Sequence, residues 1–142
     1  MDPREFLAVA AEVLARGQPA HCRTAIGRAY YAAFNVGANI LRGNGFTIGK
    51  GPQGHGDVVK HLLGCSDATV RRAGSQLDDL RAMRNKSDYR MDASDVEDAK
   101  TAGTLLIESD RLMTSVETAF SGLRRADVVS SIQDWKRKAG VP

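Results

Sequence analysis

The 142-residue chain has few of the residues that staple small proteins or anchor them in membranes. Its two cysteines, Cys22 and Cys65, lie in different segments without metal-ligand neighbours at useful spacing, so the sequence predicts neither a disulfide framework nor a metal site. No apolar run is long enough to cross a bilayer, and residues 1–5 are charged and lack the apolar core of a signal peptide. We therefore expect a cytoplasmic protein without membrane contact, bound metal or cofactor.

The composition is that of an ordinary globular domain. Hydrophobic residues make up 42% of the chain and charged residues 26%, which excludes both disorder and a membrane-embedded fold. The formal net charge is +3, and the positive residues are spread along the chain. This charge permits contact with nucleic acid but does not require it.

Apolar residues recur at spacings of three and four along most of the chain, and no segment alternates as a strand does. The pattern predicts helices over residues 3–16, 19–42, 57–63, 66–89 and 94–123, with a weakly helical tail over 124–140. Asp2 and Ser94 are the predicted N-terminal caps of the first and last of the five helices. We expect an all-α fold, an up-and-down four-helix bundle with a short extra helix over residues 1–123, followed by a helical C-terminal extension over residues 124–142.

Glycine is concentrated in one connection, residues 43–56, which holds six of the fourteen glycines. The run Gly49-Lys50-Gly51 lacks both the spaced first glycine and the hydroxyl residue of a phosphate-binding P-loop. We interpret the segment as a flexible connector that carries His55.

A polar run interrupts the apolar stripe of the fourth predicted helix. The stripe Val70, Ala73, Leu77 and Leu80 continues in register to Arg84 and Ser87. A guanidinium at such a position needs partners or a wet cleft, and Asp88 lies one turn beyond it. Asn85, Tyr89 and Arg81 lie within the same two turns. The second helix carries a polar stripe of its own, which either faces solvent or lines a polar pocket and consists of Arg28, Tyr31, Asn35, Asn39 and Arg42.

Two interpretations of the run around Arg84 stay open at this point. It could be a structural polar network that sets helix register or a dimer seam. It could instead handle phosphate, with arginine stabilising charge on phosphorus and a neighbouring group moving a proton. Histidine is the usual proton carrier, and the spacing places His21, His55 and His61 outside the run.

Two segments together resemble a known family. Residues 24–34, Thr-Ala-Ile-Gly-Arg-Ala-Tyr-Tyr-Ala-Ala-Phe, resemble the Arg-Ala-Tyr-Tyr-Ala-Ala-Phe signature of the HEPN superfamily (higher eukaryotes and prokaryotes nucleotide-binding). Residues 80–89 resemble its Arg-Asn-x-Ala-Asp-Tyr variant, and residues 51–62 are similar to the loop and short helix between the two motifs. The resemblance runs from about residue 18 to residue 123.

This resemblance implies a helical bundle that forms a homodimer and pairs the motif helices across a shared cleft. Many members are metal-independent endoribonucleases, found as toxins beside a nucleotidyltransferase antitoxin or in defence systems. Their signature of arginine, polar residue, spacer and histidine falls on Arg84, Asn85 and, in place of histidine, Tyr89. The catalytic candidates are therefore Arg84, Asn85, Asp88 and Tyr89, and the binding candidates are Arg28, Tyr31, Asn35 and Arg81.

Tyr89 departs from the family pattern, which has histidine at this position. A phenol ordinarily ionises near about pH 10 and is therefore a poor general base at neutral pH.

The sequence is consistent with two functions. The first is a HEPN-like protein that binds RNA or a nucleotide and could cleave RNA at a dimer cleft. The alternative is a non-catalytic dimeric interaction module that acts through a partner such as a nucleotidyltransferase.

Overall fold

The computed structural model describes all residues, 1–142, and consists of helices without strands. Two short 3₁₀ turns, Asp95–Glu97 and Gly122–Arg124, precede the last two helices. The six α-helices are α1 (Glu5–Leu14), α2 (Pro19–Gly43), α3 (Gln53–Leu63), α4 (Ala68–Tyr89), α5 (Ala99–Ala119) and α6 (Arg125–Ala139). Helices α1, α2, α4 and α5 form the bundle, which confirms the predicted all-α class. No helix combines the length and the apolar character that crossing a membrane requires.

The helix directions follow from which ends meet. Arg4 at the start of α1 binds Glu117 near the end of α5, so these two helices run antiparallel. Arg23 at the start of α2 binds the Ser87 carbonyl at the end of α4, so this pair is antiparallel as well. The parallel pair is α2 and α5, in which the Ser109 hydroxyl donates to the Ala29 carbonyl over 2.8 Å. This alternation is that of an up-and-down bundle.

Small residues let α2 lie at the centre of the core. Ala25, Ala29, Ala32 and Ala33 are all buried on it, and their short side chains allow the neighbouring helices to approach closely. The large buried side chains around them come from every α-helix except α1, and include Tyr30, Leu62, Leu77, Met113 and Ile132.

Helix α6 packs on the bundle rather than standing apart from it. Val128 and Ile132 belong to the main core cluster, and Trp135 packs against that cluster. The Trp135 ring lies so close to the backbone of Gly64 that a methyl group there would overlap the indole. Val128, Ile132 and Trp135 thus form the side that α6 buries.

Several predicted boundaries were wrong, for local reasons. Helix α3 begins at Gln53, before the predicted start at residue 57. Helix α5 begins at Ala99 because the carboxylate of Asp98 caps it, whereas Ser94 opens only a 3₁₀ turn. The same helix ends at Ala119, which leaves Leu123 fully exposed instead of in the core stripe.

The predicted N-terminal cap of α1 was placed too early. The helix begins at Glu5, and the side chain of Asp2 accepts from the backbone N–H of Arg4 over 2.9 Å, in the turn that leads into it. Helix α2 begins with a capping box that the sequence pattern did not predict. The Gln18 side chain accepts from the backbone N–H of His21, and the His21 side chain accepts from the backbone N–H of Gln18.

The glycine-rich connection is anchored, which corrects its interpretation as a flexible connector. Phe46 and Ile48 are each only 5% exposed and belong to the core. The Arg42 guanidinium donates to the carbonyls of Ile48 and Gly49. The carboxylate of Asp57 on α3 accepts from the backbone N–H of Gly49 over 3.0 Å. Two apolar side chains and two polar clamps thus hold the connection in one path.

Candidate functional site

Arg84 lies at the inward position that its spacing predicted, and polar groups on two helices surround it. Its side chain is 16% exposed. One terminal nitrogen donates to the Tyr31 hydroxyl on α2 over 2.6 Å, and the other donates to the Asn85 side-chain oxygen over 2.9 Å. Nε lies 3.0 Å from a carboxylate oxygen of Asp88, at ion-pair distance but without hydrogen-bond alignment. The guanidinium is therefore fixed in place between α4 and α2.

Cations and aromatic rings alternate from α1 across α2 to α4. The Arg28 guanidinium lies 5.5 Å from the Phe6 ring centroid and 5.1 Å from that of Tyr31. The Arg84 guanidinium lies 5.1 Å from the same Tyr31 ring and 5.8 Å from the ring of Tyr30. Such stacking holds long arginine side chains in place at little entropic cost and leaves their N–H groups free to donate.

His55 lies outside the run around Arg84, as its position in the sequence predicted, but it packs against the tyrosines of α2 that contact Arg84. Its Nδ1 lies 2.6 Å from the Tyr30 hydroxyl, and its ring centroid lies 4.2 Å from that of Phe34. The Tyr31 ring is 6.3 Å away. We call the whole set the arginine–tyrosine cluster, and it consists of Arg28, Tyr30, Tyr31, His55, Arg81, Arg84, Asn85 and Asp88.

The early start of α3 brings His55 to the cluster. His55 lies in the first turn of that helix, directly after Gly54. A methyl group on Gly54 would overlap the Gly49 carbonyl oxygen, so only glycine lets the connection fold back this tightly. A sequence signal for this existed, because His55, Val58, Val59 and Leu62 share one helical face.

The cluster carries more positive than negative charge. Arg28 and Arg81 are partly buried, and neither forms an ion pair or a hydrogen bond within the chain. Asp88 is the one carboxylate paired with a cluster arginine. Two guanidinium groups therefore remain available to an anion.

The pKa values of two buried groups reflect this environment. Burial raises the pKa of the Tyr30 hydroxyl to about 12, although the charges of Arg81 and Arg84 act in the opposite direction. Burial, and then the same two arginines, lowers the pKa of the His55 imidazole below its usual range. At neutral pH both side chains are therefore uncharged, and the positive charge of the cluster comes from arginine.

The remaining predicted site residues lie at the edge of the cluster or outside it. Asn35 is one turn beyond Tyr31 on α2, and its amide donates to the Tyr31 carbonyl over 2.8 Å. Tyr89 is the last residue of α4, is 73% exposed and makes no hydrogen bond in the folded chain. The structure thus brings together six of the eight predicted residues and adds Tyr30 and His55 to them.

A buried arginine that sequence reasoning missed holds the end of α4. The side chain of Arg23 on α2 is 11% exposed and pairs with Glu97 over 2.8 Å. It also donates to the carbonyls of Ser87, Arg90 and Ala93 over 2.8 to 3.0 Å. These acceptors are backbone atoms, which have no signature in the sequence.

The larger surface grooves of the molecule lie outside the cluster. Two grooves of about 520 and 500 Å³ lie along α6, and neither includes a cluster residue. Small molecules usually bind in cavities that bury most of their surface, whereas an extended chain can lie along a shallow face.

Comparisons of the chain with protein-family models, with curated proteins and with solved structures find no match. The HEPN resemblance stays a prediction from two sequence segments, and the functional interpretation of the cluster depends on its own geometry.

Proposed function

We propose that the protein is a HEPN-like RNA-binding protein whose arginine–tyrosine cluster holds the sugar–phosphate backbone of a single strand. The observation that carries the proposal is that Arg28 and Arg81, unlike the fixed Arg84, have no ion-pair or hydrogen-bond partner within the chain. Arginine forks bind phosphate oxygens in pairs, so partly buried guanidinium groups without a partner in the chain are suited to a phosphate ligand.

The rings between the arginines support single-stranded RNA as the ligand. Phe6, Tyr31 and Phe34 are partly exposed, so a base can reach part of each ring, while Arg28, Arg84 and His55 cover the rest. Stacking of one base on an aromatic ring contributes about 1–3 kcal/mol and tolerates every base. Proteins that bind single strands without sequence preference combine positively charged groups, which bind the phosphates, with aromatic rings, on which the bases stack.

We propose further that the bound strand is cleaved, in a toxin–antitoxin or defence setting. Arg84 is the residue suited to stabilise the charge that develops on phosphorus, because it is held rigidly by Tyr31 and Asn85 before any ligand arrives. Asp88 would keep that guanidinium in place through its ion pair.

The test is a titration of a short fluorescent single-stranded RNA at several salt concentrations. With three phosphates bound, the logarithm of affinity should fall against the logarithm of salt concentration with a slope of about −2. Arg81→Ala should reduce the slope by about 0.7 and weaken binding about tenfold or more, because a charged hydrogen bond contributes about 1.5–3 kcal/mol.

The matched control is Arg72→Ala on the same helix, since Arg72 is exposed and makes no polar contact. It should bind RNA as the unchanged protein does. Mononucleotides and single-stranded DNA of the same sequence serve as competing ligands. If RNA is not retained, or if Arg72→Ala weakens binding as much as Arg81→Ala, the proposal is wrong. The non-catalytic interaction module would then be the better hypothesis.

A further inference from the structure

Cleavage of RNA by its own 2′-hydroxyl needs a group that accepts the hydroxyl proton as the oxygen attacks phosphorus. The sequence pattern offers Tyr89 for this role, but Tyr89 lies at the end of α4 with 73% of its surface exposed and no hydrogen bond. Nothing in the folded chain orients it toward Arg84. A proton acceptor at this site must therefore come from elsewhere.

His55 is oriented by two contacts on its buried side. Its Nδ1 lies 2.6 Å from the Tyr30 hydroxyl, and Tyr30 itself is only 1% exposed. The Phe34 ring, at 4.2 Å between centroids, limits rotation of the imidazole. A histidine with one ring nitrogen held by a buried hydroxyl has the arrangement of an oriented general base.

The other ring nitrogen of His55 faces water. Nε2 makes no hydrogen bond within the protein, yet the buried polar atoms without partners are confined to His61 and Arg84. Nε2 is therefore accessible to solvent on a residue that is otherwise partly buried. The Tyr31 ring centroid lies 6.3 Å from that of His55, and the Tyr31 hydroxyl accepts from the Arg84 guanidinium over 2.6 Å.

We propose that His55 accepts the 2′-hydroxyl proton during RNA cleavage at the arginine–tyrosine cluster and that Tyr30 positions its ring. This inference rests on the proposed function, because it assumes that the cluster holds the RNA backbone. Tyr89 then has no part in proton transfer.

The step balances without a further reactant. The 2′-oxygen forms a bond to phosphorus while its proton passes to Nε2 of a ring that carries its hydrogen on Nδ1. The proposal assigns the ring hydrogen to Nδ1, which donates to the Tyr30 hydroxyl oxygen before and after the transfer and leaves Nε2 free to accept. The bond from phosphorus to the 5′-oxygen breaks, and that oxygen keeps the electron pair and takes a proton from water. The products are a 2′,3′-cyclic phosphate and a 5′-hydroxyl.

The charges that face His55 agree with this role. Arg81 and Arg84 on α4 oppose its protonation, and the Tyr30 hydroxyl on α2, whose pKa burial raises to about 12, is uncharged at neutral pH. The imidazole is therefore in its basic form at neutral pH, ready to accept a proton. The transferred proton returns to water between turnovers.

The experiment measures binding and cleavage separately on a strand that is DNA except for one ribonucleotide. We expect the unchanged protein to bind this strand and to leave a 2′,3′-cyclic phosphate at the ribonucleotide. His55→Gln should bind as well but cleave at least about a hundredfold more slowly, the usual range for loss of a general base. His21→Gln is the control, since His21 caps α2 and makes no contact with the cluster.

Two further variants separate chemistry from folding. His55→Ala should regain cleavage when free imidazole is added, which a merely unfolded variant would not. Tyr30→Phe should keep the ring stacking but cleave more slowly, and its rate should depend on pH differently, because the hydrogen bond that orients Nδ1 is gone.

The outcomes distinguish the two proposals. Failure of the unchanged protein to bind the strand contradicts the proposed function itself. Binding without cleavage, or cleavage by His55→Gln at the original rate and with the original pH profile, overturns the role of His55 and leaves RNA binding in place. Cleavage that Tyr89→Phe abolishes and His55→Gln does not would return the role to Tyr89.

Discussion

Arg84 illustrates how a charged side chain is accommodated at a half-buried position of a bundle. Its three partners, Tyr31, Asn85 and Asp88, occupy different sides of the guanidinium. Removing a guanidinium from water costs several kcal/mol unless such groups replace the lost hydration. Sequence spacing alone predicted that Arg84 points inward and that Asp88 lies beside it. The hydrogen bond that Arg84 donates to the Tyr31 hydroxyl could be found only from the way α2 and α4 face each other.

His61 is a second residue whose environment has a measurable consequence. It is 3% exposed, and its Nδ1–H donates to the Asp57 carbonyl over 2.6 Å, while Nε2 has no partner. Phe46 and Trp135 meet the ring edge-on. Burial, and to a smaller extent the charge of Lys136, lowers the pKa of the His61 imidazole below its usual range.

This lowered pKa predicts a loss of stability in acid. Below about pH 6.5 the unfolded chain protonates this histidine and the folded chain does not, so the free energy of unfolding falls as pH decreases, by up to about 1.4 kcal/mol per pH unit. Chemical denaturation between about pH 7.5 and pH 5 should show this fall. His61→Leu should reduce this fall without abolishing it, because the pKa of His55 is lowered as well. An equal slope in His61→Leu would contradict the prediction.

At the scale of elements, Arg23 joins α2 to the segment that follows α4. The last carbonyl groups of a helix lack partners within the helix, and here a guanidinium from another helix supplies donors to several of them at once. The same guanidinium pairs with Glu97 in the 3₁₀ turn before α5. The end of α4, where Asp88 lies, is therefore held by α2.

Loss of this guanidinium should destabilise the fold and loosen one end of α4. Arg23→Leu leaves Glu97 and three carbonyls without their donor, so we expect the free energy of unfolding to fall by about 3–5 kcal/mol. Hydrogen exchange should increase most over residues 86–97. Arg111→Leu is the matched control, because Arg111 is exposed on α5 without a polar partner, and it should change stability by less than about 0.5 kcal/mol. Similar losses in both variants would show that the carbonyl contacts of Arg23 contribute little.

At the scale of the whole molecule, the arginine–tyrosine cluster lies on an open face, and the HEPN resemblance implies that a second copy covers it. Two large exposed side chains lie where α4 ends: Tyr89, its last residue, is 73% exposed, and Met91, in the turn that follows, is 68% exposed. Neighbouring exposed apolar side chains of this size are a common feature of association surfaces. A homodimer is therefore a prediction with a defined place on the molecule.

Sedimentation equilibrium checks this prediction. We expect a mass of twice the 15.3 kDa chain, and we expect the double variant Tyr89→Glu, Met91→Glu to shift the protein to the monomer. Ile107→Glu, at a 55% exposed position on α5, should leave the dimer intact. A monomer at all concentrations would contradict the shared-cleft arrangement.

Local signals predicted the helical class, the bundle and most of the cluster. Helix period depends only on neighbours three and four residues apart, so α2, α4 and the inward position of Arg84 were readable from the chain. Boundaries were less certain because caps compete locally. The N-terminal cap of α5 is Asp98, whereas the predicted cap, Ser94, precedes only a 3₁₀ turn.

Contacts between distant segments came from the tertiary structure alone. His55 meets Tyr30 across 25 positions because the buried Phe46 and Ile48 and the closely approached Gly54 fold the connection back. Arg23 binds carbonyl oxygens, which every residue has and no residue type signals. The sequence by itself thus determined which helices form and which side of α4 is polar. Packing decided which histidine and which tyrosines stand beside Arg84, because loop closure and backbone contacts depend on the whole core.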